Sequence, residues 1–337
     1  MIDEIIIRKL VDYLLLNAYS VNSSGLYNGK AGISLALFET ARFLQDEYIE
    51  EQAFDLLQES LITKNNDIGF ENGLSGIGYV LLYLINNNFI DADFDELFGE
   101  NHGKIEEKLI LLREKGIKDN MFYYLTIVYY ICFLQKTNSK KSMKWFIDYA
   151  SCETSKLLID RFLSIEKKNK RYSKIAILNM YQLYLKVGYY CTMFNPTTEV
   201  SGKYSELYLQ DKFANNLFIG FYLRNLAKRI KDKQLWFIGT KNRETAILGF
   251  YSPILTLSEK IDLLYLFHED EIMNNINEIK QLDFNFLEGS SEKSFEKEMI
   301  KSICPTDLIA GYKSGIARLL LYYIYQNTGR GNRFQFL

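Results

Sequence analysis

The chain has 337 residues, 42 acidic and 40 basic, with a formal net charge of −2, 48% hydrophobic and 24% charged residues, an ordinary globular balance. That charge supplies no electrostatic basis for binding nucleic acid or an anionic membrane surface. Four cysteines, Cys132, Cys152, Cys191 and Cys304, are far apart in sequence, which argues against a disulfide scaffold and for a reducing compartment.

Aromatic residues reach 15%, while proline occurs three times. Scarce proline suits long helices joined by short turns, because proline lacks the backbone donor and clashes with the preceding turn. Residues 2–19 predict an opening helix with Ile5, Leu10, Tyr13 and Leu14 on one face. The turn Asn22-Ser23-Ser24 then leads into the word Gly25-Leu26-Tyr27-Asn28-Gly29-Lys30-Ala31-Gly32-Ile33, and a helix follows to about Leu44. From about Glu47 to Ile62 the pattern changes: Ile49, Ala53, Leu56, Leu57 and Leu61 form one apolar stripe on an otherwise acidic or polar helix.

The glycine-spaced word returns as Gly69-Phe70-Glu71-Asn72-Gly73-Leu74-Ser75-Gly76-Ile77-Gly78 and opens onto an apolar run from Tyr79 to Ile85. A helix without a polar face must be buried all round. Amphipathic and apolar segments keep alternating after it: Asp91–Leu112 amphipathic, Met121–Leu134 apolar, Ser142–Leu163 amphipathic, Ile175–Tyr190 apolar. Phe213–Ile230 and Ile254–Phe267 are further inner helices, Glu292–Ser302 a last outer one, and Ile309–Tyr325 closes the chain. The word appears a third time as Ala310-Gly311-Tyr312-Lys313-Ser314-Gly315-Ile316-Ala317. No low-complexity linker interrupts this order, so residues 1–337 read as one domain.

Gly32 and Gly76 are 44 residues apart, and Gly76 and Gly315 are 239 apart, or five periods of about 48, a spacing typical of helix-pair repeats. Words at the first, second and last repeats therefore predict about seven helix pairs, an all-α α/α toroid with an inner and an outer layer. The words at 25–33 and 70–78 resemble the first two repeats of lanthionine synthetase C-like proteins, Leu308 to Ile316 resembles their last, and Phe89 to Leu97 resembles the outer helix after the second. The resemblance covers roughly the first 110 and last 30 residues. It implies a seven-fold α/α toroid from a family in which many members close thioether rings in ribosomally made peptides.

Catalytic members of that family hold zinc on two cysteines and a histidine, in Trp-Cys-Tyr-Gly-like and Cys-His-Gly words, and the metal lowers the pKa of the attacking thiol. This chain has neither word. Its expected fifth turn, Gln210 to Asn216, and sixth turn, Asn242 to Gly249, contain no Cys or His. Only His102 and His268 remain, the first in an outer helix and the second at the end of an apolar run, so neither reads as a ligand. The acids Asp91, Asp93, Asp95 and Glu96 fail as a calcium loop, since Glu96 stands where glycine is needed and His102 where glutamate is. They read instead as a helix start, where carboxylates offset the macrodipole. The basic runs Lys167–Arg171 and Arg330–Arg333 read as solvated turns or tails.

The candidate site is the mouth where the repeated turns converge. Asn28, Lys30, Glu71, Asn72, Tyr312 and Lys313 lie in those turns as candidate substrate- or partner-binding residues. Lys30 and Lys313 occupy equivalent places and are expected to face the mouth, solvent or an acid such as Glu71. By resemblance the expected role is a zinc-free member of ribosomal peptide maturation that binds a precursor peptide or a peptide-modifying enzyme, with no cofactor and no catalytic residue assigned. The competing reading is an active peptide cyclase with a zinc-free acid/base site, Glu71 or Asp307 near Lys30 or Lys313. The start, Met1-Ile2-Asp3-Glu4, is acidic where a secretory signal is basic. The longest apolar run, Met121–Leu134, has 14 residues, short of the roughly 18 of a spanning helix. A cytoplasmic protein with no membrane or nucleic-acid partner is the expectation.

Overall fold

A computed structural model describes residues 4–62, 64, 66–115, 121–137, 143–166, 173–248, 261–262, 310–313 and 315–328. Among these residues it contains twelve α-helices and no strand. They are α1 (Glu4–Ala18), α2 (Lys30–Leu44), α3 (Glu47–Leu61), α4 (Leu74–Asn86), α5 (Phe94–Lys115) and α6 (Met121–Thr137). The rest are α7 (Lys144–Glu166), α8 (Lys174–Tyr190), α9 (Thr198–Leu209), α10 (Leu217–Ile230), α11 (Lys233–Leu248) and α12 (Ile316–Thr328). The chain divides into two compact units, the first Met1–Ile105 with Tyr251–Leu337 and the second Glu106–Phe250, so α5 is shared at the Ile105/Glu106 boundary.

In the first unit α12, α2 and α4 lie in series, with α12 packed on α2 and α2 on α4. These are the apolar helices: α4 is buried from Leu74 to Leu84, and α2 from Ala31 to Ala41. Helix α3 packs on α2 through the stripe Ile49, Ala53, Leu56 and Leu57, and its other sides are left to water. Helix α1 covers α2 and α12 with Ile6, Ile7, Leu10, Val11 and Leu14, whereas Ile5, expected on the same face, is exposed. Asp46 caps α3 by accepting from Ile49 N at 3.3 Å and pairs with Arg8 at 2.9 Å. Asp93 does the same for α5, accepting from the amides of Asp95 and Glu96 at 2.7 and 3.0 Å, the helix-start role expected of this acidic cluster.

The second unit repeats the two-layer logic. Helices α6, α8 and α10 pack in series, and α7, α9 and α11 pack beside them, α7 on α9 and α9 on α11. Helices α10 and α11 approach closely, for a Cβ on Gly220 would stand 2.9 Å from the Gly239 carbonyl and one on Gly239 3.0 Å from that of Gly220. Only the missing side chains let these backbones cross. The stretch Asn242 to Gly249, expected to be a turn, is helical through Leu248. No glycine or proline interrupts it before Gly249, and the buried Asn242 side chain is used in packing: its Oδ1 accepts from Asn216 N at 2.6 Å and its amide donates to Tyr204. The turn expected at Gln210 to Asn216 is non-helical, and the helix expected from Phe213 begins only at Leu217, where Asn216 caps α10 by accepting from Ile219 N at 2.9 Å. Helix α9 had no sequence counterpart. Cys304, His268, the basic runs and the helices expected at 254–267 and 292–302, apart from 261–262, lie outside the described residues.

Candidate functional site

The two N-terminal glycine words fold alike, residue for residue, at the 44-residue offset. Lys30 N donates to Ser23 O at 2.9 Å, and Leu74 N, its equivalent, donates to Asp67 O at 2.8 Å. Each bond satisfies one of the amides that a helix N-terminus leaves without an intrahelical acceptor. The glycines allow the chain to curl back this far. A Cβ on Gly32 would stand 1.9 Å from the Leu26 carbonyl oxygen, and one on Gly76 would stand 2.1 Å from that of Phe70.

All three words meet in one clasp within the first unit. Tyr27 N donates to Glu71 O at 2.7 Å, linking the first word to the second. Tyr27 O accepts from Tyr312 N at 2.8 Å and Lys313 N at 3.2 Å, linking the last word to the first. The side chains follow the same order. Leu26 packs on Gly76 and Tyr312 on Gly32, with Cβ atoms 2.9 and 2.6 Å from where a glycine Cβ would lie.

Within the clasp the six candidate residues have different surroundings. Asn28 and Asn72, both partly buried, join across the words, the Asn28 amide donating to the Asn72 side-chain oxygen at 3.3 Å. Glu71 has an exposed side chain while its carbonyl serves Tyr27. Lys313 is exposed, its ammonium 5.1 Å from the centre of the Tyr27 ring, within the range of a cation–π contact. Tyr312 has no exposed surface, so its part is packing on Gly32. Lys30 is bound to Glu59 of α3 and not to Glu71. The zinc-free acid/base pair of Glu71 with Lys30 is therefore not formed, and Asp307 lies outside the described residues.

Sequence reasoning missed what lies beneath. Arg318, 1% exposed in the apolar run that opens α12, is paired with Asp262, and its guanidinium sits 5.9 Å from the Tyr312 ring centre. The one signal was an arginine inside an apolar helix, which needs a partner to be buried. Burial, then the Glu71 carboxylate, push the Tyr27 phenol well above its ordinary range; burial also raises Tyr312, against the opposing pull of Arg318. Both phenols are held neutral, and the Tyr312 oxygen accepts from the Arg318 guanidinium.

Elsewhere, Cys132 and Cys191 are buried in the second unit and Cys152 is exposed. Burial, reinforced by the neighbouring Cys132 thiol, raises Cys191 well above the ordinary thiol range, the opposite of what a metal-binding thiolate needs. His102 is buried in α5. Among the described residues no group of three His, Cys, Asp or Glu side chains is placed to hold a metal ion. Among the same residues no helix is long and apolar enough to cross a membrane. No family model matches the chain, and no curated protein does.

Proposed function

We propose that this chain is a lanthionine synthetase C-like α/α toroid of about seven helix pairs that serves ribosomal peptide maturation by binding a precursor peptide or a peptide-modifying enzyme, without closing thioether rings itself. The observation that carries the reading is the order of the clasp. The last word bonds to the first and the first to the second, as a ring closed on itself requires. The words that resemble the family are thus the ones that join.

Binding is the role that suits what the clasp leaves accessible. Lys313 offers a cation and Glu71 an anion, and the partly buried Asn28 adds a side-chain amide that can donate and accept. An extended peptide carries matching backbone groups. The family's Trp-Cys-Tyr-Gly-like and Cys-His-Gly words are absent from this sequence, and with them the soft thiolates they supply.

The test is a calorimetric titration of the chain with the precursor peptide, or the modifying enzyme, encoded beside it. Lys313→Glu and Glu71→Lys should each weaken binding, with thermal midpoints nearly unchanged, since exposed charges usually contribute within about 0.5 kcal/mol. Lys30 is left intact because its substitution would strand Glu59. Undiminished binding by both folded variants would remove the clasp as the docking site.

A further inference from the structure

Helix α3 presents a second stripe, opposite in character to the one it buries. Glu47, Glu50, Glu51, Phe54, Asp55 and Gln58 follow one another at helical spacing along one wall of a groove of about 820 Å³. Phe89, Ile90, Asp91 and Leu97 form the facing wall, from the segment leading into α5 and from its first turn. The groove continues past Leu61 into a second cavity of about 590 Å³ that adds Tyr19, Glu59, Ile62 and Glu96. The two cavities share Asp55, Gln58, Leu61 and Leu97, so they form one trough.

Its composition is lopsided. Five carboxylates line the main groove, and no Lys, Arg or His does among the described residues. Between the acids stand apolar side chains left in water: Phe54 is 42% exposed, Leu97 46% and Ile62 79%. The main groove, with its apolar floor and lining charges of a single sign, focuses its field on cations, while Glu59 at the far end is already paired with Lys30. A partner that fills it must bring apolar groups for Phe54 and Leu97 and cations for the rim.

We infer that this trough docks a cationic amphipathic helix from a partner polypeptide, with Lys or Arg flanking an apolar stripe. The 15 residues of α3 run roughly 20 Å, enough to lie along about four turns of such a helix. Recognition follows the helix-in-groove mode, with apolar anchors at i, i+3/i+4 and i+7. This surface is separate from the glycine clasp and does not depend on the role proposed for it.

The probe is a synthetic 14-residue peptide with a leucine stripe flanked by lysines, compared with its glutamate-flanked twin of the same apolar face. Binding is read by fluorescence anisotropy at about 50 and 500 mM salt, where the Debye length falls from roughly 14 to 4 Å. Expected results are saturable binding of the lysine peptide, weakened at high salt, and no binding of the glutamate twin. Glu51→Lys/Asp55→Lys should weaken the lysine peptide by roughly tenfold at low salt. Glu107→Lys/Glu244→Lys, two exposed acids of the second unit, changes net charge equally and should leave affinity unchanged. Equal binding of the two peptides would mean a merely apolar surface and overturn the inference, as would equal losses in both variants, which would report net charge alone. Self-association of the parent chain that is lost in Glu51→Lys/Asp55→Lys would give the trough to a second copy and overturn it too. Because this readout uses neither Lys313 nor Glu71, its failure and that of the clasp are distinguishable.

Discussion

Gly32→Ala tests the clasp most directly. In an ordinary helix the change should stabilise by up to about 1 kcal/mol, because alanine gives up less backbone entropy. Here the new Cβ would stand 1.9 Å from Leu26 O and 2.6 Å from Tyr312 Cβ. Carbon–oxygen contact at roughly 3.5 Å would require Leu26 O to retreat by about 1.5 Å. Leu26 O shares a peptide with Tyr27 N, which is bonded to Glu71, and the Tyr27 carbonyl is bonded to Tyr312, so the retreat strains both links. Overpacking costs about 1–3 kcal/mol, two weakened hydrogen bonds about 1 kcal/mol each, and the helix gain returns about 1, leaving a net loss near 3 kcal/mol. Urea unfolding with an unchanged m-value is the assay, and Gly103→Ala in α5 is the control, since a Cβ there meets nothing within 4 Å. Gly103→Ala should be neutral or slightly stabilising. A Gly32→Ala protein as stable as its parent would show that the words do not press on one another, and the clasp would have to be abandoned.

Two further outcomes follow from the local chemistry. Asp46→Ala should cost about 1 kcal/mol at pH 7 through the lost cap on α3, whereas Asp46→Asn keeps the cap and loses only the charge. The Arg8 guanidinium holds the Asp46 carboxyl below its ordinary value. Its contribution is therefore complete above the unfolded pKa of about 3.9 and lost as pH falls through the lower folded value, so urea midpoints of parent and Asp46→Asn should converge only at acid pH. Convergence that is already complete at pH 6 would contradict this assignment. Iodoacetamide followed by peptide mass mapping should label exposed Cys152 first and leave Cys191 unmodified in the folded chain, because burial keeps its thiol protonated. Labelling of Cys191 as fast as Cys152 would refute its enclosure.

The sequence by itself determined the helical class, most helix positions and the repeat of the first two words. Helix burial follows a 3.6-residue period, so the stripe Ile49, Ala53, Leu56 and Leu57 and the unbroken run of α4 are legible locally. The glycines were legible for a steric reason: Gly32 and Gly76 leave no room for a Cβ, and that requirement is written in the residue itself. Only the tertiary structure decided the partners. Lys30 and Lys313 look equivalent in sequence, yet Lys30 reaches Glu59 on the neighbouring α3 while Lys313 stays exposed over Tyr27. Tyr312 reads as a turn residue and is enclosed, because the word it joins closes over it. Arg318 and Asp262 are 56 residues apart: an arginine in an apolar run signals that a partner is needed, but nothing local says which residue it is. The turn expected at 242–249 is helix for the same kind of reason, as the Asn242 side chain finds an acceptor on α9 and a donor at the cap of α10 that its own segment does not contain.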